Sequence, residues 1–127
     1  MPTKRLQKRI IENQQKKLNS LKGIVLSLDP TADIALDAEF EDRVQIGPHT
    51  KIGNGVILRS ETVVKNNVLI DSGSTIGANS IINENVVIET NVDVGDFSKI
   101  GSDAVIEVNS TIEHEVEIGP KAKIESE

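Results

Sequence analysis

Large apolar residues recur at every sixth position from Leu28 to Ile124, and the phase never breaks. The series runs Leu28, Ile34, Phe40, Ile46, Ile52, Leu58, Val64, Ile70, Ile76, Ile82, Ile88, Val94, Ile100, Ile106, Ile112, Ile118, Ile124. Four residues after each large position the chain places a small or β-branched residue, from Ala32, Ala38, Val44 and Thr50 through to Ala122. One residue earlier, Asn, Gly or Asp recurs: Asp37, Gly55, Asn67, Gly73, Asn79, Asn85, Asn91, Asp103 and Asn109. These residues tolerate the positive φ that a tight corner requires.

The small residue and the next large one are two apart, so in an extended segment both point to one side and the residue between them points outward. Each hexad is therefore one short strand and one corner. Three hexads close a triangular coil of 18 residues, and coils stacked about 4.8 Å apart give roughly five coils in a prism somewhat under 30 Å long. Large residues fill the interior, and small ones fit the corners.

Ile46-Gly47-Pro48-His49-Thr50-Lys51 and Ile52-Gly53-Asn54-Gly55-Val56-Ile57 carry an aliphatic residue, then Gly, two variable residues and a small one. Gly returns in the second slot at Gly77, Gly95, Gly101 and Gly119. This pattern resembles the hexapeptide-repeat family, and the resemblance spans about three-quarters of the chain. It implies an all-β fold, a left-handed parallel β-helix; the handedness comes from the resemblance and not from the spacing. Function is far less constrained, because the family includes acetyl- and acyltransferases, appendages of nucleotidyltransferases, γ-class carbonic anhydrases and non-catalytic scaffolds.

The outward residues sort by side. One side reads Gln45, Val63, Ile81, Lys99, Glu117; the next reads Lys51, Leu69, Val87, Val105, Lys123; the third reads Glu39, Ile57, Thr75, Asp93, Thr111. Val63, Leu69, Ile81, Val87 and Val105 thus predict an apolar patch wrapped round one edge, with charges above and below. Such a patch suggests an interface, and the resemblance implies a homotrimer packed about that edge. The alternative is the ordinary strand preference of Val and Ile on a solvated face. Thr75 and Thr111 are the only Thr on the third side, with Asp93 between them, so no ranked Thr array of the ice-binding kind is expected.

Before the repeat, Leu6, Ile10, Ile11, Leu18 and Leu21 fall within roughly 140° of a helical wheel, with Lys and Arg opposite. Residues 1–23 are read as a basic amphipathic helix that caps the open end of the β-helix over residues 24–127, with Gly23 as its C-cap. Helix-to-helix assembly or an anionic partner are its other possible roles. Charge divides the same way: residues 1–22 hold seven Lys or Arg against Glu12, a balance of +6, and the remainder holds seven basic and nineteen acidic residues, or −12. An acidic body repels nucleic acid.

Two Phe and no Tyr or Trp leave Ile, Val, Leu and Ala to form the core, and the absence of Cys excludes disulfides and thiolate metal sites. A cytoplasmic protein without membrane span or cleaved leader is the resulting expectation. Both His fall in corners, His49 three after Ile46 and His114 two after Ile112, and their separation is not a multiple of 18. They cannot stack, so no metal site is expected. The only candidates for the general base of an acyltransferase are these two His, with Glu113 and Glu115 flanking His114. The unbroken hexads leave no inserted loop to shape a substrate pocket. The sequence therefore favours a non-catalytic trimeric scaffold or oligomerisation module without cofactor. Its alternative is a small acetyl- or acyltransferase using coenzyme A or an acyl carrier in a cleft between subunits. Phe97 is a bulky residue at a corner where Asn or Gly is expected.

Overall fold

The computed structural model describes residues 25–126. The proposed capping helix, with Leu6, Ile10, Leu18 and Leu21, lies outside the described residues. From Ser27 onward each hexad forms one two-residue strand, seventeen in all, and each strand ends on a large apolar residue of the series. Strands pair in parallel with the strand three hexads away, so Gln45 aligns with Val63 and Val63 with Ile81, a register of 18 residues. The result is a parallel β-solenoid with three sheets of six, six and five strands. This is the architecture of the hexapeptide-repeat β-helix.

The strands are held by hydrogen bonds of one polarity. The N–H of Val63 donates to the Ser80 carbonyl, and that of Ile81 to the Ser98 carbonyl, each at 2.9 Å, so each strand donates to the coil after it, while corner N–H groups donate to the coil before. Inside, Ile52, Leu58, Ile70, Ile76, Ile82, Ile88, Ile100 and Ile106 are fully buried. The terminal members Leu28, Phe40 and Ile124 are only partly buried, because each has a coil on one side only. With no aromatic residue inside the middle coils, the core is layers of aliphatic residues stacked at strand spacing, and close packing of like shapes supplies its dispersion energy.

The small positions carry a second function. Ser80 is buried and its hydroxyl donates to the Gly95 carbonyl (3.0 Å) while accepting from the Ser98 N–H (3.2 Å). Ser74 does the same between the Glu89 carbonyl and the Val92 N–H. A buried corner that would otherwise orphan a carbonyl is thus satisfied from within, and among the described residues no buried side-chain polar atom lacks a partner.

Stacking also sets the corner conformation, whatever residue occupies it. Asn67, Asn79, Asn85, Asn91, Asp103, Asn109, Gly55 and Gly73 take positive φ, as expected, but so do Arg43, His49, Glu61, Phe97, Glu115 and Lys121. Asp37, in the first coil, does not. The reason is visible at Phe97 (φ 58°): its N–H donates to the Ala78 carbonyl at 2.9 Å, as Glu115 N–H does to Asp96. That inter-coil bond requires the left-handed turn, and its repetition through the stack imposes it on residues that would not choose it. Phe97 itself stays 58% exposed.

Candidate functional site

The three outward faces fall where the hexad count puts them. Val63 aligns with Ile81 on one side, and Leu69, Val87 and Val105 align on the next. All five are half-buried, and the two sides adjoin at the corner holding Asn66 and Glu84. The apolar edge therefore exists as a contiguous surface.

A cleft of about 340 Å³ lies elsewhere, along the third side and the corner that follows it. Arg59, Thr75, Gly77, Asp93, Val94, Gly95, Asp96 and His114 line it. Its origin is a column of corner residues spaced by 18: Arg59, Gly77, Gly95 and Glu113. A Cβ added at Gly77 would sit 2.5 Å from the backbone of Gly95 and Asp96, and one at Gly95 would sit 2.6 Å from Glu113 and His114. The coils approach too closely there for any side chain. Two successive bare backbones leave a saddle between Arg59 at one end and His114 at the other, and the outward Thr75 and Asp93 form its wall. Unbroken hexads were expected to leave no pocket; the glycine column supplies a shallow one without any insertion.

His114 is the one sequence candidate in this cleft. Its neighbour in the stack is Asp96, 18 residues earlier, not Glu113 or Glu115. The Asp96 N–H donates to His114 Nδ1 at 2.8 Å, and the Asp96 Oδ1 in turn accepts from the Ala78 N–H at 2.8 Å. Each side chain caps a corner N–H of the preceding coil, which is a structural reason for His at this position. The bond also fixes the tautomer: Nδ1 is the acceptor, so Nε2 carries the proton of the neutral ring. Rotating the ring by half a turn would place a carbon against the N–H and lose the bond. Asp96 Oδ2 stands 3.8 Å from Nδ1, but two acceptors at that distance make no ion pair. His114 is thereby arranged as a hydrogen-bond donor through Nε2, and the general-base role for which it was a candidate under the acyltransferase alternative does not follow from this geometry.

His49 lies on a different corner of the prism. It is exposed, its backbone N–H donates to Thr31 Oγ1 at 2.9 Å, and no side-chain partner is present among the described residues. The two His are not brought together. Among the described residues, no three His, Cys, Asp or Glu converge as metal ligands, and no helix is long and apolar enough to cross a membrane.

Four polar members of the cleft, Arg59, Thr75, Asp93 and Asp96, were not site candidates in the sequence. The signal that finds them is the sequence written in rows of 18, where Asp96 falls directly above His114 and Arg59 heads the glycine column. Neither Arg59 nor Asp93 has an ion pair or side-chain hydrogen bond among the described residues, whereas the exposed Arg43 stands 3.7 Å from both Asp42 and Glu61.

No protein-family model matches the sequence, and no curated protein matches it. Solved structures do share the fold. A histidine-to-asparagine mutant of perosamine N-acetyltransferase from Caulobacter crescentus, in complex with CoA and GDP-perosamine, superposes over 92% of this chain at a TM-score of 0.62 and 14% identity. The chain spans 66% of that enzyme's length. A protein from Bacillus cereus, whose acetyltransferase assignment is itself provisional, superposes over 80% of this chain and 73% of its own at a TM-score of 0.57 and 19% identity.

Proposed function

We propose that this protein is a small acyltransferase that draws on a coenzyme A thioester and works at the cleft between Arg59 and His114. The observation that carries the reading is the cleft's content. This cleft holds a His whose free nitrogen is a fixed donor, together with a carboxylate, Asp93, that has no ion pair or side-chain hydrogen bond among the described residues. Support comes from the fold shared with an acetyltransferase solved with CoA bound.

In such a reaction the acceptor amine attacks the thioester carbonyl carbon, the C–S bond breaks, and coenzyme A leaves as its thiol. His114 Nε2–H donates to the carbonyl oxygen as negative charge develops there; a neutral imidazole held in one tautomer serves this role without reorganising. The proton lost by the attacking amine passes to the Asp93 carboxylate and from there to the departing sulfur. Asp96 touches His114 through its backbone and acts as a positioning residue. The apolar edge of Val63, Leu69, Ile81, Val87 and Val105 packs three copies into a homotrimer.

The unbroken hexads and the shallowness of the cleft favour a second reading, a trimeric scaffold with no chemistry. A melting titration with acetyl-coenzyme A, combined with thiol release in the presence of amines, separates the two. Ligand at about 100 times its dissociation constant raises stability by about 2.7 kcal/mol. Transfer that falls about 10²- to 10³-fold in His114→Ala supports the enzyme, as expected for loss of one oxyanion donor. No shift at millimolar ligand and no thiol release would leave the scaffold.

A further inference from the structure

The cleft is electrostatically divided along the prism axis. Arg59 sits at the end nearer the N-terminus; Asp93 lies two layers further along, and His114 three. At about 4.8 Å per layer the backbone separations are about 10 Å and about 14 Å. The body of the protein is strongly acidic; Arg43 stands near Asp42 and Glu61 and Lys123 is 3.4 Å from Glu107, whereas the exposed Lys51, Lys65, Lys99 and Lys121 have no ion pair among the described residues. Arg59 has no ion pair among the described residues either, and it differs from those lysines in lining the cleft, beside the bare backbone of Gly77 and Gly95. Asp93 is equally unengaged, flanked in its sheet by Thr75 and Thr111 instead of a cation. A cation at one end of a cleft and an anion in its wall two layers away, neither ion-paired among the described residues, match a ligand carrying the reverse pair.

We infer that the acyl acceptor is a small amine bearing an anionic group, phosphate or carboxylate, within about 10 Å of its nitrogen. Arg59 holds the anion, and Asp93 receives the amine end beside His114. The inference rests on the acyltransferase reading for its role in turnover, but not for its binding chemistry. The planar guanidinium fork engages either oxyanion in two parallel hydrogen bonds. The Thr75 hydroxyl in the wall supplies a neutral contact between the two charged ends.

The test uses the full chain with acetyl-coenzyme A and two matched pairs of amines: glucosamine phosphate against glucosamine, and γ-aminobutyrate against butylamine. The wild type is expected to show a KM at least tenfold lower for the charged member of one pair, and the pair that responds identifies phosphate or carboxylate as the anion. Arg59→Gln should raise that KM to the level of the neutral analogue, and Arg59→Lys should restore part of the preference, which a merely structural loss would not do. Equal KM values across both pairs in the wild type, or a preference retained in Arg59→Gln, overturns the inference. If no amine is acetylated and acetyl-coenzyme A leaves the melting temperature unmoved, it is the acyl-transfer reading that fails. The inference is then decided by calorimetry with the same amines: saturable binding of a charged member lost in Arg59→Gln upholds it, and no binding overturns it.

Discussion

Gly95 and Gly119 occupy the same slot of the hexad, each following a large apolar residue, yet alanine at the two positions should act in opposite directions. At Gly95 the new Cβ would stand 2.6 Å from the Glu113 carbonyl carbon and the His114 nitrogen, and 2.8 Å from the Glu113 oxygen. Favourable carbon contacts begin near 3.5 Å, so the coils must part by roughly 0.9 Å at a place made only of backbone. Overpacking of this kind costs about 1–3 kcal/mol. Separation also lengthens two bonds, Gly95 N–H to the Ile112 carbonyl (2.7 Å) and Asp96 N–H to His114 Nδ1 (2.8 Å), at about 1 kcal/mol each. Against this, alanine lowers the entropy of the unfolded chain by an amount worth about 0.4–1 kcal/mol. Gly95→Ala is therefore expected to lose about 2–5 kcal/mol. Gly119 has nothing within 4 Å of its added Cβ and no positive φ, so Gly119→Ala keeps only the gain of about 0.4–1 kcal/mol. For a domain of this size about 4 °C accompanies each kcal/mol. Thermal unfolding followed by far-ultraviolet circular dichroism, at one fixed protein concentration, should show Gly95→Ala melting about 8–20 °C lower and Gly119→Ala slightly higher. Similar shifts in the two variants would refute the claim that inter-coil contact, and not the motif, is what requires glycine.

Two further outcomes bear on other parts of the molecule. Val87→Glu places a charge at the middle of the apolar edge and should convert the proposed trimer to monomers or aggregates; an unchanged sedimentation coefficient would remove that edge from the interface. Ser80→Ala deletes a buried hydroxyl that both donates to Gly95 and accepts from Ser98, with an expected loss of about 1–3 kcal/mol, and a denaturation midpoint indistinguishable from wild type would show that the corner re-satisfies itself.

The scaffold reading drawn from the sequence and the acyltransferase reading proposed here differ for one reason. Hexads in unbroken phase gave no sign of a pocket, because a pocket made by subtraction needs only two glycines stacked 18 residues apart. The candidate base changed for a related reason. Glu113 and Glu115 are the sequence neighbours of His114, but residues adjacent along a corner point away from one another, and the neighbour across the coil boundary is Asp96. Phe97 is explained in part: the bond to Ala78 accounts for its backbone, and nothing in the structure explains its exposed ring.

The six-residue period alone determined the strands, the register, the large and small interior positions and the membership of each outward face, because a strand alternates with period two and three equal sides must close on a multiple of six. It also located the corners. What only the tertiary structure decided is which corner residues meet across coils. Spacing tells which residues share a column, but how closely their backbones approach, which nitrogen of His114 accepts a bond, and whether Arg59 finds a countercharge depend on the stacking distance and on side-chain direction. Those are properties of packed coils, and no single hexad carries them.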